Sequence, residues 1–363
     1  ALYENIKAQS VRPGLCKTAG LKLVYSPLNG SGLVPVTRVL GDIGITDITI
    51  VPEQQYPDGN FPTCPYPNPE IREALALGLA LAEKSGADLM LATDPDADRV
   101  GIAVRCKDGS YQLLSGNEVG VLLLDYICKG RTENGTMPKA PVCVKSIVST
   151  PLADVVAAHY GVECRNVLTG FKWIGDQIAG LEAAGEVERF IFGFEESYGY
   201  LAGSYVRDKD AVVGSMLICE MAAYYRTKGI SMMQARENLY QKYGVYVHAQ
   251  HSFTFEGESG MIRMQNIMEH LRTHRPEQID NLKVIQFADY EKQVSIDLTT
   301  GTETTITLPK SNVLSFTLEQ GAKVIIRPSG TEPKIKAYYT TTAATEAEAA
   351  AKKDELDAAF SAI

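Results

Sequence analysis

Residues 87–101 read ADLMLATDPDADRVG. The apolar first half predicts a buried strand, and its carboxyl end delivers Asp94, Asp96 and Asp98 at alternate positions with Arg99 immediately after. Open α/β sheets bind ligands just outside the carboxyl ends of their strands, so the position suits a site. At about 5 Å separation and an effective dielectric near 20, each pair of ionised carboxylates repels by roughly 3 kcal/mol. Gathering three needs a compensating positive charge, and a bound divalent cation supplies one. A calcium EF-hand loop fits only the first half, because Arg99 stands where that loop needs glycine and Arg105 where it needs a bidentate glutamate. Two or three monodentate carboxylates with open positions suit magnesium bridging to a phosphate, with Arg99 facing the same anion. A solvated acidic turn is the alternative.

Outward from this loop the pattern alternates strand and helix. Upstream, LKLVYS (21–26) predicts a strand, the turn Asn29-Gly30-Ser31-Gly32 leads to a helix, and residues 47–51 predict the next strand. The proline-rich stretch 51–70 reads as a long irregular loop of the kind that carries function, followed by one long helix over 70–84. Downstream, a second α/β block runs strand (PVCVKSIVS), helix from Leu152, strand (GVECRNVL), helix from Phe171, and strand (RFIFGF), with two long helices reaching Tyr243. From Tyr246 the period changes to two, predicting antiparallel strands closed by an Ala/Glu/Lys-rich helix. The expected segments are 1–18 (N-terminal segment), 19–135 and 136–245 (two α/β domains) and 246–363 (an α+β domain).

The bulk composition narrows the function classes. The chain has 363 residues, 45% of them hydrophobic, and a formal net charge of −9, which argues against a broad nucleic-acid surface but not against a local anion pocket. Seven cysteines are scattered with no CxxC pair, which predicts reduced thiols and a cytoplasmic location. No apolar run has the length of a membrane span, so neither a membrane nor a nucleic acid is an expected partner. His270 and His274 lack the glutamate of a zincin pair, and Pro35 stands where a dinucleotide loop starting at Gly30 needs its third glycine.

Three further motifs carry chemistry. RPSGTEPK (327–334) puts a guanidinium, two hydroxyls, a glycine turn and Lys334 within reach of one phosphate, although the same residues also make a polar hairpin turn. GFEESYGY (193–200) sets Glu195, Glu196 and Ser197 at a strand end, where they suit sugar hydroxyls or a helix cap. TGFK (169–172) and RDKDA (207–211) add Lys172, Arg207 and Lys209 at loop-to-helix junctions, where surface charge is common.

The order YSPLNGSG, DGNFPTCPYPNPE, ATDPDADRVG, TGFKWIGDQI, GFEESYG with RDKDA, and RPSGTEPKIK resembles that of the α-D-phosphohexomutase family over nearly the whole chain, on the bacterial phosphoglucomutase/phosphomannomutase branch. The resemblance implies two α/β domains of mutase type with mixed sheets, then a C-terminal α+β domain with an antiparallel sheet. It implies an isomerase that interconverts hexose 1-phosphate and hexose 6-phosphate through a phosphoserine and a hexose 1,6-bisphosphate. Mg²⁺ would sit on Asp94, Asp96 and Asp98, assisted by Arg99, with Lys172 and Lys209 giving electrostatic or proton-transfer help. Glu195 and Ser197 would bind ring hydroxyls, Thr169 and Gly170 would distinguish the two substrate orientations, and Arg327, Ser329, Gly330, Thr331 and Lys334 would hold the non-reacting phosphate. The family's phosphoserine lies in a Ser-His-Asn-Pro loop, and no such tetrapeptide occurs here. The resemblance therefore covers domains two to four, implying a chain that lacks the N-terminal phosphoserine domain and is inactive alone. A non-catalytic phosphosugar- and magnesium-binding module is the alternative.

Overall fold

The computed structural model describes residues 1–255, 259–329 and 333–362. The chain divides into two compact units, residues 1–239 and 240–363.

The first unit contains two mixed sheets. One has five strands: β1 (Lys22–Ser26), β2 (Asp47–Ile50), β3 (Leu89–Thr93), β4 (Val100–Arg105) and β5 (Tyr111–Leu114), in the order β2-β1-β3-β4-β5. β1 pairs in parallel with β2 and β3, whereas β3-β4 and β4-β5 are antiparallel. The other has four: β6 (Val142–Ser146), β7 (Glu163–Val167), β8 (Phe190–Glu195) and β9 (Gly199–Leu201), in the order β7-β6-β8-β9, with only β8-β9 antiparallel. All residues of β3, β6 and β8 are buried, the reason these strands read as continuous apolar runs.

The helices of this unit are α1 (Leu2–Lys7), α2 (Cys16–Ala19), α3 (Leu33–Ile43), α4 (Ala76–Ser85), α5 (Gly116–Glu133), α6 (Leu152–His159), α7 (Phe171–Ala183) and α8 (Ala211–Thr227); α9 (Met232–Tyr243) crosses the division between the units. α5 opens on a reciprocal capping box between Ser115 and Glu118 and packs on β8 and α6. α8 is buried over nearly its whole length, packing against α3 and α5 and touching β3, β4 and β9. From within α8, the buried Glu220 accepts hydrogen bonds from Val11 N (2.8 Å), Arg12 N (3.1 Å), Tyr126 OH (2.9 Å) and the Ser10 hydroxyl. It thereby grips the segment after α1.

Two local expectations shift. The helix expected over 70–84 begins later, as a 3-10 turn (Arg72–Leu75) running into α4. Asn68 Oδ1 accepts from Glu70 N at 3.0 Å and Asn68 O from Ile71 N at 3.0 Å, and this side-chain turn competes with the first helical turn. The strand expected to reach residue 149 stops at Ser146, where Ser149 N donates to both the carbonyl and the hydroxyl of Ser146.

The second unit is built on an antiparallel sheet: β10 (Val245–Thr254), β11 (Gln278–Ile279), β12 (Leu282–Asp289), β13 (Val294–Asp297), β14 (Glu303–Thr305), β15 (Leu314–Leu318), β16 (Lys323–Pro328) and β17 (Lys334–Ala343). The order is β10-β17-β16-β15-β12-β13-β14, with β11 on β12. α10 (Ser259–Thr273) and α11 (Glu346–Ser361) cover it through a core that includes Met268, Leu271, Phe316, Tyr339 and Phe360. The period-two reading of this region and the closing helix agree with the structure, as does the α/β, α/β, α+β succession.

Candidate functional site

The acidic loop begins where β3 ends. Asp94 is fully buried, Asp98 half-buried and Asp96 exposed, and one carboxylate oxygen from each lies within 4.8 Å of the others. The loop folds around Asp94: its Oδ1 accepts from Asp98 N (3.0 Å) and Arg99 N (2.9 Å), and its Oδ2 from Arg99 Nε (2.7 Å). Ala97 makes the turn in the left-handed region at φ 57°. Burial pushes the Asp94 carboxyl up to about 6, against the backbone and side-chain hydrogen bonds from Arg99 that favour its charge.

Two resident cations answer part of the repulsion. Arg99 also reaches Glu70 Oε1 at 3.3 Å, and Lys209 Nζ lies 2.8 Å from Asp98 Oδ2 and 3.1 Å from Asp208 Oδ1. Burial opposes the Lys209 charge, yet the hydrogen bonds it donates to Asp98 and Asp208 hold its pKa above the ordinary lysine value. Asp96 has no hydrogen-bond or ion-pair partner among the described residues. A carboxylate accepts about four hydrogen bonds or metal bonds, so three oxygens converging from Asp94, Asp96 and Asp98 form a hard-donor set that fits Mg²⁺ with positions to spare for water or phosphate.

The β8-β9 hairpin meets this loop. Arg99 bridges Gly199, and Val100 N donates to Tyr198 O at 3.1 Å, with Tyr198 in the left-handed region at φ 69°. The Lys209 side chain crosses Gly199 so closely that a Cβ there would lie 2.2 Å from its Cδ. α8 fixes the loop from the other side, as Ala211 N donates to Ala97 O at 3.1 Å. Asp210 caps α8 through Val212 N (2.7 Å) and Val213 N (3.3 Å) and accepts from Tyr205 OH (2.7 Å).

At the end of β8 the two glutamates diverge. Glu195 is buried and its Oε1 accepts from Gly170 N at 2.7 Å, which joins the hairpin to the TGFK turn, where Gly170 has φ 115°. Glu196 turns away to the hydroxyls of Ser146 (2.9 Å) and Ser149 (3.1 Å). Ser197 and Thr169 are half-buried beside these contacts. Lys172 is exposed and rests over the Trp173 ring at 5.0 Å; among the described residues no ion pair ties it to the acidic loop. Arg207 pairs with Glu182 at 2.6 Å.

In the second unit, Arg327 is the last residue but one of β16 and Lys334 opens β17, with Ser329 N donating to Lys334 O at 2.8 Å. Arg327 Nε is buried with no hydrogen-bond partner among the described residues. An unpaired guanidinium nitrogen beside a hairpin turn is the chemistry an anion completes. Gly330 and Thr331 lie outside the described residues.

Sequence reasoning passed over Glu70, Ala97, Tyr198 and Asp210. Asp210 had a local signal, an aspartate directly before the apolar run AVVGSMLIC. The others act through long-range or backbone contacts that leave no pattern.

Residues 3–109 match the family model described as phosphoglucomutase/phosphomannomutase, alpha/beta/alpha domain II, and residues 115–243 match domain III of the same family. A curated phosphoglucomutase from Staphylococcus saprophyticus is 37% identical over 319 residues, covering 88% of this chain and 57% of the relative. The chain thus spans little more than half the length of that relative. Among solved structures, a putative phosphomannomutase from Thermus thermophilus superposes with a TM-score of 0.64 at 19% identity, over 97% of this chain and 64% of the other. An Aspergillus fumigatus N-acetylphosphoglucosamine mutase in complex with GlcNAc-6P and magnesium gives 0.53 at 13% identity, over 99% and 65%.

Proposed function

Because the chain belongs to the phosphoglucomutase/phosphomannomutase family, we propose that it forms the metal-, sugar- and phosphate-binding part of a cytoplasmic mutase that interconverts hexose 1-phosphate and hexose 6-phosphate. The observation that carries this reading is the junction of the acidic loop with the β8-β9 hairpin, through the Arg99–Gly199 bridge and the Val100–Tyr198 hydrogen bond. It sets hard oxygen donors beside a strand end rich in hydroxyl-binding groups. The magnesium named with the Aspergillus relative supports the same assignment of Asp94, Asp96 and Asp98.

A magnesium ion held by these carboxylates supplies charge stabilisation to a transferring phosphoryl group. Arg99, pinned by Asp94 and Glu70, presents its remaining donors to the same oxygens, and Lys209 adds positive charge from across Gly199. Glu195 and Ser197 hydrogen-bond the ring hydroxyls, while Thr169 and Gly170, tied to Glu195, distinguish the two substrate orientations. Lys172, exposed and resting over the Trp173 ring, gives electrostatic or proton-transfer help in this reading. Arg327, Ser329, Gly330, Thr331 and Lys334 hold a phosphate of the sugar that is not reacting, and anchoring a remote group of this kind lowers the entropy cost of in-line attack. The phosphoryl group is carried between half-reactions by a phosphoserine outside these residues and by a hexose 1,6-bisphosphate.

A coupled assay following glucose 6-phosphate tests this. Residues 1–363 with Mg²⁺ and glucose 1,6-bisphosphate should show no turnover, because the Ser-His-Asn-Pro nucleophile loop is absent from them. They should nevertheless bind glucose 1-phosphate, and Arg327→Ala should weaken that binding. Turnover by residues 1–363 alone overturns the assignment of the nucleophile. The retained recognition loops without a nucleophile also suit a phosphosugar- and magnesium-binding module, for which no upstream coding sequence would restore turnover.

A further inference from the structure

Three elements of the first unit start or end at the acidic loop: β3 leads into Asp94, β4 leaves from Arg99, and α8 begins at Ala211 against Ala97. At their other ends lie Asp88, Arg105 and Arg226, and all three line one cavity of about 490 Å³. A five- or six-residue strand spans roughly 17 Å, so this cavity is remote from the acidic loop.

Its chemistry is opposite in sign to that loop. Arg105, Lys107 and Arg226 face it against a single carboxylate, Asp88, in a chain whose formal net charge is −9. Asp88 is already neutralised on both oxygens: Oδ1 takes Arg226 at 2.6 Å and Oδ2 takes Lys22 N at 2.9 Å. Arg226 is held further by Ala19 O at 3.0 Å, which fixes its guanidinium at the wall. Arg105 and Lys107 are exposed, and neither side chain has a hydrogen-bond or ion-pair partner among the described residues.

The negative end of α8 opposes this sign only in part, because Ile230 N and Gly229 N donate to Tyr225 O (2.9 Å) and Arg226 O (3.0 Å) and occupy two of its last carbonyls. α9 starts at the same wall, with Ser231 Oγ accepting from Gln234 N at 3.1 Å and Met232 lining the cavity. Leu21, Ala222 and Ile230 give the cavity an apolar floor. The volume falls in the range of small-molecule sites.

We propose that this cavity binds a small multivalent anion through Arg105, Lys107 and Arg226, at a site of the first unit remote from its acidic loop. Phosphoryl and carboxylate groups share the recognition chemistry, a charged fork meeting two oxygens.

Cys106 lines the cavity and is one of two cysteines that are not buried, the other being Cys164. Alkylation of the whole chain, followed by mass spectrometry, therefore reads occupancy at Cys106, with added free cysteine as reference because the hydrogen bond with Cys143 and burial push the Cys164 thiol well up. Pyrophosphate is one arm and tricarballylate the other, with chloride at equal ionic strength as control. We expect at least one of the two to slow Cys106 and leave the free cysteine unchanged, and which one does so identifies the charged group. Arg105→Ala with Lys107→Ala should raise the protecting concentration about tenfold or more, whereas Arg327→Ala should not move it. Equal protection by chloride, protection that persists in the double variant, or no protection by either anion at up to about 10 mM, tenfold above a weak millimolar Kd, overturns the proposal. None of these outcomes depends on the mutase reading.

Discussion

The acidic loop and the Arg327 hairpin are opposite solutions to holding charge. Around Asp94 the protein supplies its own counter-charges, with Arg99 at 2.7 Å and two backbone N–H groups on the same carboxylate. At Arg327 a buried guanidinium nitrogen has no hydrogen-bond partner among the described residues. The first arrangement is built into the fold, so its disruption registers as lost stability. In the proposed reading the second is completed by a ligand, so its disruption registers as lost binding.

The strongest break of this contrast is Arg99→Ala, which strands the buried Asp94 carboxylate. Denaturant titration should show a loss of about 3 kcal/mol, and a loss below about 1 kcal/mol would mean that the loop does not rely on its internal cation. Next, Arg327→Ala should leave the denaturation midpoint of the unliganded chain nearly unchanged while weakening glucose 1-phosphate by about 1.5 to 3 kcal/mol, measured by calorimetry. A variant that instead unfolds the chain would make Arg327 structural, like Arg99. Lys209→Met sharpens the comparison, because its ammonium competes for Asp98 at 2.8 Å. Removing it should tighten Mn²⁺ by about 1 kcal/mol, and weaker binding would assign Lys209 a supporting role. The smallest expected stability effect belongs to Asp96→Asn, within about 0.5 kcal/mol because the side chain is exposed, although the Mn²⁺ isotherm should collapse.

Much of the architecture was legible because burial writes itself into period. The all-buried β3, β6 and β8 appear as apolar runs, and the change to period two marks the antiparallel sheet of the second unit. Convergence of the three aspartates follows from their spacing on one tight loop. What surrounds them does not: Glu70 stands 29 residues from Arg99, and Ala211 meets Ala97 only because α8 packs between elements distant in sequence. The fates of Glu195 and Glu196 were equally hidden. Adjacent residues at a strand end point to opposite faces, and only the tertiary neighbours, Gly170 on one side and Ser146 with Ser149 on the other, separate the two carboxylates.

The grip of Glu220 on residues 10–12 has a consequence for how this chain opens. The amide protons of Val11 and Arg12 are both bound to one carboxylate on a buried helix, so they can exchange with solvent deuterium only when that carboxylate lets go. Arg12 adds its own lock, its guanidinium lying 4.1 Å above the Tyr224 ring and paired with Glu133 at 2.6 Å. Deuterium uptake at positions 11 and 12 should therefore follow that of the middle of α8 rather than that of α1 a few residues away, which makes this short segment part of the slow-exchanging core despite its place near the start of the sequence.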